Sequence, residues 1–592
     1  MLGLLRLGRG RSAARVTPFR DVARRTFEIP RGATGEGSDG DWVRIELDRG
    51  RGAARTARVV EVLGAPGVAE ADFRVIVWRH GLPVAFPAEV EAEVAALAAG
   101  EKGDDGLQRE DLRALPFLTI DPVTARDHDD AVCVEALPRG GTRLWVAIAD
   151  VAAFVPEGSA LDREALRRGN SVYFPDRAIP MLPHELSGDL CSLRPKMDRR
   201  VLVVMLDLAA SGEVRGRRFA RGVICSRAKL SYDAAARVMD PGSELPPGAE
   251  PPTDPEVVEQ LQHLARVARV LQQRRFAEGS IDFDLPTAEI VLGDDGHPED
   301  VVEAPRTLAH RAIEEAMLAA NRAVAEELLA ARMPLLHRVH EAPPPEDLAA
   351  LEDLLQAFGL LEKRRTGPLD AREIARAVTR AVGRPEERLV NLMTLRSMQQ
   401  ARYSEVDRGH FALAFPHYTH FTSPIRRYAD LVVHRALLDR LDGSAEARER
   451  ALRRGESLPR IAVQLSALER GAVEAERNML AVKKCAFLAK HVGVEYDGTI
   501  GSVAPHGLYV TLAPFFVEGL VHVAKLPYGA RFDERGHAFV LQRGRGRWGL
   551  GDRVRVRVEA VDPARGWISF ALVGVERSER RRPGRRRGYA GA

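Results

Sequence analysis

Apolar and polar positions alternate in two different ways along the chain. Near both ends, short apolar runs are separated by Gly- and Pro-containing turns, which is typical of small antiparallel barrels. The runs Trp42–Leu47, Ala57–Leu63 and Phe73–Trp78 predict three strands, and residues 494–573 repeat the pattern. Residues 1–40 are rich in Gly and Arg with little apolar periodicity, so we expect them to be poorly ordered.

The long middle section mixes strands and helices without a repeated strand–helix–strand rhythm. The runs Val201–Leu208 and Gly216–Ile224 flank Ala-Ser-Gly-Glu and predict a hairpin. Apolar residues at helical spacing predict helices over Glu256–Glu278, which Gly279 ends, and over Leu308–Leu329. Further predicted elements are a strand pair over Leu144–Val155, a short helix over Glu89–Ala99, a helix from Pro343–Pro345 to Gly359 and a helix opening at Ser423. The fold class is therefore α+β with several domains.

Length and composition restrict the class of protein. The 592 residues suggest three to five domains of roughly 100–200 residues each. With 45% hydrophobic and 29% charged residues, a wholly disordered or fibrous chain is excluded. No apolar run reaches the roughly 18 residues of a membrane span. The four cysteines have neither disulfide-framework nor zinc spacing, so we expect a cytoplasmic protein.

The formal net charge of +3 hides an uneven distribution. Residues 1–25 carry seven Arg and one Asp, and residues 575–592 carry seven Arg and two Glu. The body between these basic ends is therefore net acidic. The ends could add salt-sensitive affinity for RNA or ribosomes, or could act only as solubilising tails.

Four aspartates lie within ten residues of each other. They are Asp121, Asp127, Asp129 and Asp130. Two such carboxylates about 4 Å apart repel by about 4 kcal/mol at an effective dielectric constant near 20, and Mg²⁺ relieves such repulsion. Apolar flanks, Leu115–Ile120 and Ala131–Val134, argue against the alternative of a solvated acidic loop. An EF-hand is excluded because its glycine position holds Val132 and its final glutamate position holds Pro138.

A second cluster combines a helix start with two arginines. Ser423 is a good N-cap and Pro424 a good first helical residue. Arg426 and Arg427 in the first turns would oppose the helix dipole unless they bind an anion such as phosphate. The alternative is ion pairing with Asp430, which suits one arginine better than both.

Both clusters, in this order, resemble the RNase II/RNase R family of exoribonucleases. The resemblance covers nearly the whole chain from about residue 41. Its motifs are Asp111–Asp121, Ile179–Ser187, Asp189–Leu193, Ile313–Asn321, Gly409–Leu413 and Phe421–Arg427. The implied domains are a cold-shock OB barrel at 41–88, a helical linker at 89–108 and a mixed α+β RNB catalytic domain at 109–440 with a helical extension at 441–493. An S1 OB barrel at 494–574 follows. We expect a disordered lead-in at 1–40 and an Arg-rich disordered tail at 575–592.

The family implies a Mg²⁺-dependent hydrolase that degrades single-stranded RNA processively from a free 3′ end to nucleoside 5′-monophosphates, in RNA decay or processing. By motif position, Asp121, Asp127, Asp129 and Asp130 would hold one or two Mg²⁺ ions. Asp127, Asp129 and Arg426 would be the catalytic residues. The residues expected to bind RNA are Tyr173, Arg427, Glu476, His506, Tyr509 and His522. A monomer is expected.

Three other functions stay open at this point. They are a catalytically silent RNA-binding regulator on the same scaffold, a DNA exonuclease of unrelated ancestry and a pure adaptor. The sequence also departs from the family pattern. Residues 1–40 are too few for the first cold-shock barrel, and His128 stands where the family usually has Phe or Met.

Overall fold

A computed structural model describes residues 1–574 with some gaps. The gaps are 9–12, 20–25, 48–55, 101–107, 243–248, 282–286, 362–366, 368, 385, 534–535 and 542–545. The predicted Arg-rich tail and the polar part of the predicted linker at 101–107 lie outside the described residues. Within the described ranges, no helix is both long and apolar enough to cross a membrane.

Five strands form an N-terminal sheet in the order β3-β2-β1-β4-β5. They are β1 (Leu2–Arg6), β2 (Ala14–Pro18), β3 (Phe27–Ile29), β4 (Trp42–Leu47) and β5 (Ala57–Gly64). The expectation of disorder is therefore wrong for the described residues before residue 41, and this domain includes β1, β2 and β3. Leu5, Val16 and Ile29 are fully buried against Val43 and Ile45. Their strands have only three to five residues, too few for an alternating pattern to stand out.

Two helices follow this sheet, α1 (Ala69–His80) and α2 (Ala88–Ala98). The predicted strand Phe73–Trp78 is wrong because it lies inside α1. Phe73 and Ile76, three residues apart, are buried on one face of that helix. Gly81 ends it in the left-handed conformation with φ 63°. The second helix confirms the short helix predicted over Glu89–Ala99.

The central domain is built on a seven-stranded sheet in the order β14-β7-β8-β9-β12-β13-β6. The strands of this region are β6 (Glu110–Asp111), β7 (Leu118–Asp121), β8 (Asp130–Ala136), β9 (Thr142–Ala149), β10 (Val172–Tyr173), β11 (Ala178–Ile179), β12 (Asp198–Leu208), β13 (Val214–Cys225) and β14 (Ala228–Ser231). The predicted hairpin is confirmed, since β12 and β13 pair antiparallel. The predicted strand pair over Leu144–Val155 is wrong. The chain turns at the buried Asp150, whose N–H donates to the Arg200 carbonyl, and β9 ends at Ala149.

Helices cover this sheet and enclose the main apolar core. Along this region lie α3 (Ala160–Arg168), α4 (Tyr232–Met239), α5 (Pro255–Glu278), β15 (Ala288–Leu292), β16 (Pro298–Glu303), α6 (Leu308–Ala330), β17 (His337–Val339), α7 (Pro345–Ala357), α8 (Ala371–Ala381), α9 (Glu387–Ser397) and β18 (Arg402–Ser404). The helices predicted over Glu256–Glu278, over Leu308–Leu329 and from Pro343–Pro345 are confirmed as α5, α6 and α7. Gly279 ends α5 at φ 108°.

Two further helices lead to a C-terminal barrel. They are α10 (Tyr428–Asp442) and the 44-residue α11 (Ala445–Leu488). The remaining strands are β19 (Glu495–Ala504), β20 (Gly507–Leu512), β21 (Glu518–His522), β22 (Ala530–Asp533), β23 (Ala538–Leu541), β24 (Arg547–Gly549), β25 (Arg553–Asp562) and β26 (Trp567–Leu572). Five of them close a barrel in the order β19-β20-β21-β26-β25. This confirms the small barrel predicted at that end of the chain.

Candidate active site

The aspartate loop joins two neighbouring strands of the central sheet. Asp121 is the last residue of β7 and Asp130 the first of β8, and the two strands run antiparallel. Leu118 and Ala131, on either side of the loop, are buried in the core. The four carboxylates are therefore carried by core strands and the tight connection between them, as the apolar flanks predict.

Three of the carboxylates are held by hydrogen bonds, two of them from other parts of the fold and one from within the loop. Asp129 Oδ1 accepts from the backbone N–H of Ile425 at 2.8 Å. Asp127 Oδ2 accepts from the Tyr173 hydroxyl at 2.9 Å. Asp121 Oδ2 lies 2.7 Å from Nδ1 of the buried His128. These contacts fix the loop while leaving further carboxylate oxygens for other ligands.

Burial makes the ionised form of two of these aspartates unfavourable. The Asp129 residue is 4% exposed, and burial raises its pKa well above the usual range, although Arg426 acts in the opposite direction. Burial and then the charge of Asp121 raise the pKa of Asp130 to about 8. Asp129 and Asp130 therefore favour the neutral form at neutral pH, and an added positive charge nearby would favour their ionised form.

The donor set at this loop suits a hard divalent cation. All four aspartates offer oxygen ligands, which Mg²⁺ prefers. As the side chains stand, no three His, Cys, Asp or Glu residues of the described chain converge closely enough to hold a metal ion. The oxygen donors and the raised pKa of Asp129 and Asp130 therefore fit Mg²⁺, and the metal-ligand roles of these residues stay a prediction.

Arg426 and Arg427 precede α10 rather than lying in its first turns. The predicted helix start at Ser423 is wrong, because the Ser171 N–H donates to the Arg426 carbonyl and Arg427 forms a β-bridge with Asn170. Residues 424–426 form a turn in which the Arg427 N–H donates to the Ser423 carbonyl, Arg427 itself is extended, and the helix begins at Tyr428.

The two arginines have different surroundings. The side chain of Arg426 is 42% exposed, and its Nε lies 3.8 Å from Asp129 Oδ2. Arg427 instead makes two 2.8 Å hydrogen bonds to the fully buried Asp430. Arg426 is thus the cation placed beside the aspartates. For Arg427 the structure shows the ion-pair alternative, and its contact with RNA stays a prediction.

Tyr173 and Glu476 lie together at the same site. The Tyr173 N–H donates to Glu476 Oε1 at 2.8 Å, while its hydroxyl reaches Asp127. Burial raises the pKa of Glu476, and the nearby charge of Arg426 acts against that rise. The ring of Tyr173 remains partly open, since the residue is 40% exposed. The structure therefore brings four separately predicted residues, Asp127, Tyr173, Arg426 and Glu476, to one place.

Sequence reasoning missed an aromatic pair beside the loop. The rings of Tyr232 and His310 stack with centroids 3.8 Å apart. Burial raises the pKa of Tyr232, and the charges of Asp130 and Asp121 add to the rise, so the phenol lies near these carboxylates. The only sequence signal is positional, because Tyr232 opens α4 and His310 completes the capping box of α6.

The C-terminal barrel carries the three ring residues that were predicted to bind RNA, and they lie close together. They are His506, Tyr509 and His522. His506 Nε2 and the Tyr509 hydroxyl lie 2.8 Å apart. Gly507 pairs with His522 across β20 and β21, so Tyr509 and His522 point to the same face of the barrel. Both histidines are exposed. A cleft of about 900 Å³ beside His506 and Tyr509 also contains basic side chains, namely Arg384, Arg388, Arg396 and Lys484.

Known proteins support this reading of the architecture. The family model of the RNB domain matches residues 109–443, and that of the cold shock domain matches residues 16–87. The chain is 39% identical to ribonuclease R of Aquifex aeolicus over 519 residues, covering 87% of this chain and 72% of that protein. It is 36% identical to ribonuclease R of Escherichia coli over 530 residues, covering 88% of this chain but only 64% of that longer protein.

A solved structure has the same overall arrangement. It is RNase R of Mycoplasma genitalium in complex with double-stranded RNA, with a TM-score of 0.81 and 25% identity. The match covers 97% of this chain and 95% of that one. The α+β architecture with a barrel at each end is thereby confirmed.

Proposed function

The chain belongs to the ribonuclease R family of RNB-domain 3′-to-5′ exoribonucleases, and we propose that it degrades single-stranded RNA processively from a free 3′ end to nucleoside 5′-monophosphates. One observation carries the proposal. The nearly fully buried Asp129 of the aspartate loop is met by the Ile425 N–H and by the partly exposed cation of Arg426. A carboxylate and a cation therefore lie in contact at this place. Hydrolysis of a phosphodiester needs such a cation, because it stabilises the negative charge that develops on the phosphate.

Asp121, Asp127, Asp129 and Asp130 would hold one or two Mg²⁺ ions. When bound, such ions supply an activated water and neutralise charge on the phosphate. The protein groups have their own tasks. Asp129, held by Ile425, and Asp127, held by Tyr173, keep fixed orientations in the loop. Arg426 stabilises the charge that develops on the scissile phosphate, and because its side chain is partly exposed it can reach that group.

Tyr173 would stack on the base at the 3′ end. Its ring is open to a ligand, while both its backbone N–H and its hydroxyl are anchored. Glu476 would act through Tyr173 by holding that backbone group. Contacts with the 2′-hydroxyl would select RNA over DNA.

The barrels would gather RNA before it reaches the site. His506, Tyr509 and His522 would form a platform on which bases of any sequence stack. The Arg-rich ends would add salt-dependent affinity for RNA or ribosomes. We further propose that the protein works as a monomer in the cytoplasm. No observation favours a catalytically silent regulator.

The experiment that tests this function is digestion of 5′-labelled substrates with a 3′ overhang. RNA and DNA of one sequence are compared, each with Mg²⁺ and with EDTA. We expect mononucleotides from RNA in Mg²⁺ only, with shortening from the 3′ end. Preferential digestion of DNA, or equal digestion in EDTA, would overturn the proposal.

A further inference from the structure

A second cleft lies against the aspartate loop. Its volume is about 600 Å³, within the roughly 300–1,000 Å³ of small-molecule sites. Arg126 and His128 of the loop form part of its wall. His128 also reaches the site itself through its contact with Asp121. The described lining includes neither Tyr173 nor Arg426, so the cleft is distinct from the place where those two residues lie.

The charged side chains in this cleft differ in how they are engaged. Arg194 donates to Asp189 at 2.7 Å, and Lys229 donates to the Ala125 carbonyl at 2.8 Å. The exposed side chain of Arg126 has no hydrogen bond or ion pair to any described residue. A guanidinium without an acidic partner, on the wall of a cleft of this size, matches the bidentate geometry of a phosphate group.

The backbone behind Arg126 is firmly held. Its carbonyl accepts from the Ser192 hydroxyl at 3.1 Å, and the same hydroxyl accepts from the His128 N–H at 3.0 Å. Lys229 fixes the preceding carbonyl of Ala125. The wall is therefore ordered in advance while the guanidinium stays available, which lowers the entropy cost of binding a ligand.

We propose that this cleft receives the nucleoside 5′-monophosphate after cleavage and that Arg126 binds its phosphate. The proposal rests on the proposed function, because that hydrolysis leaves the phosphate on the released nucleotide. A monophosphate carries a charge of roughly −1.5 to −2 at neutral pH. The aspartates of the loop repel it, while Arg126 on the wall of the cleft attracts it. The site is thereby cleared for the next nucleotide.

Calorimetric titration of the whole chain with adenosine 5′-monophosphate tests this assignment. EDTA is present and RNA absent, so that no divalent ion can bridge the nucleotide to the aspartates. We expect the monophosphate to bind and adenosine to bind far more weakly. Arg126→Ala should weaken binding of the monophosphate by about tenfold, and Arg126→Glu by more.

Arg453→Ala is the matched control. Arg453 is an exposed arginine on α11 whose ion pair is with Glu449, and it does not line the cleft. Its replacement should leave binding unchanged, and circular dichroism checks that all variants are folded.

Three results would overturn the proposal. They are binding by both Arg126 variants that equals wild type, equal loss in Arg453→Ala, and no binding of the monophosphate to wild type at millimolar concentration. Failure here is distinct from failure of the proposed function, because RNA digestion by the wild type is measured separately.

Discussion

The aspartate loop and the ring platform of the C-terminal barrel (His506, Tyr509 and His522) differ in burial and in how far along the sequence their contacts reach. At the loop, Asp129 is nearly fully buried and its carboxylate is tied to residues almost 300 positions away in sequence. On the barrel, His506 and His522 are exposed, and the rings bond mainly to near neighbours. A buried carboxylate with fixed hydrogen-bond donors suits chemistry that depends on exact placement, whereas exposed rings suit binding that tolerates any base. Mutations in the first region should therefore change kcat, and those in the second should change KM.

Arg426→Ala should have the largest effect. Loss of the cation beside Asp129 should lower kcat by about 10³-fold, or roughly 4 kcal/mol of transition-state stabilisation, with little change in RNA affinity. Single-turnover digestion and filter binding separate the two quantities. A variant that loses affinity but keeps kcat would remove the distinction between the two regions.

Arg427→Ala should act on stability instead. Arg427 is bonded twice to the fully buried Asp430, so its removal leaves a buried carboxylate without its partner. The free energy of unfolding should fall by about 3 kcal/mol. Urea denaturation measures this, with Arg453→Ala as an exposed control. If the variant is as stable as wild type but binds RNA poorly, Arg427 contacts RNA rather than supporting the fold.

Tyr509→Ala should weaken RNA binding by about 1–3 kcal/mol, the value of one stacked base. We expect KM to rise while kcat at saturating RNA stays constant. Tyr528→Ala is the control, because Tyr528 is 75% exposed in the same region without belonging to the platform. Equal losses in the two variants would show that the platform has no special role.

The last prediction concerns the pH dependence of stability. The pKa of Asp130 is raised to about 8 in the folded chain, above its ordinary value of 3.8. The native state then holds a proton that the unfolded state has released, so stability falls as pH rises from about 4 to 8. In EDTA the melting temperature should fall by a few degrees over this range, and less in Asp130→Asn. An identical pH dependence in both proteins would contradict this cause.

Local patterns predicted much of the fold. The hairpin of β12 and β13 and the helix ended by Gly279 follow from short-range periodicity and one glycine. The strands before residue 40 were missed because they are short, and Phe73–Trp78 was misread because β-branched residues also occur in helices. The start of α10 was misplaced because contacts with Asn170 and Ser171 end the turn after Ser423 at an extended Arg427, so the helix begins only at Tyr428.

The candidate site was predictable in part. The spacing of the aspartates and the motif around Arg426 are visible in the sequence. Their partners are not, because the Ile425 N–H reaches Asp129 across 296 positions and Glu476 reaches Tyr173 across 303. Only the folded chain brings these pairs together. The catalytic roles of the residues stay predictions until they are measured.

The most direct test of the central claim is release of nucleoside 5′-monophosphates from single-stranded RNA by wild type and Asp129→Asn in Mg²⁺. Asp353→Asn, a change at an exposed aspartate on α7, is the control. We predict that Asp129→Asn keeps RNA binding and loses mononucleotide release by about 10²-fold or more, while Asp353→Asn behaves as wild type. Release by Asp129→Asn at the wild-type rate would contradict the account.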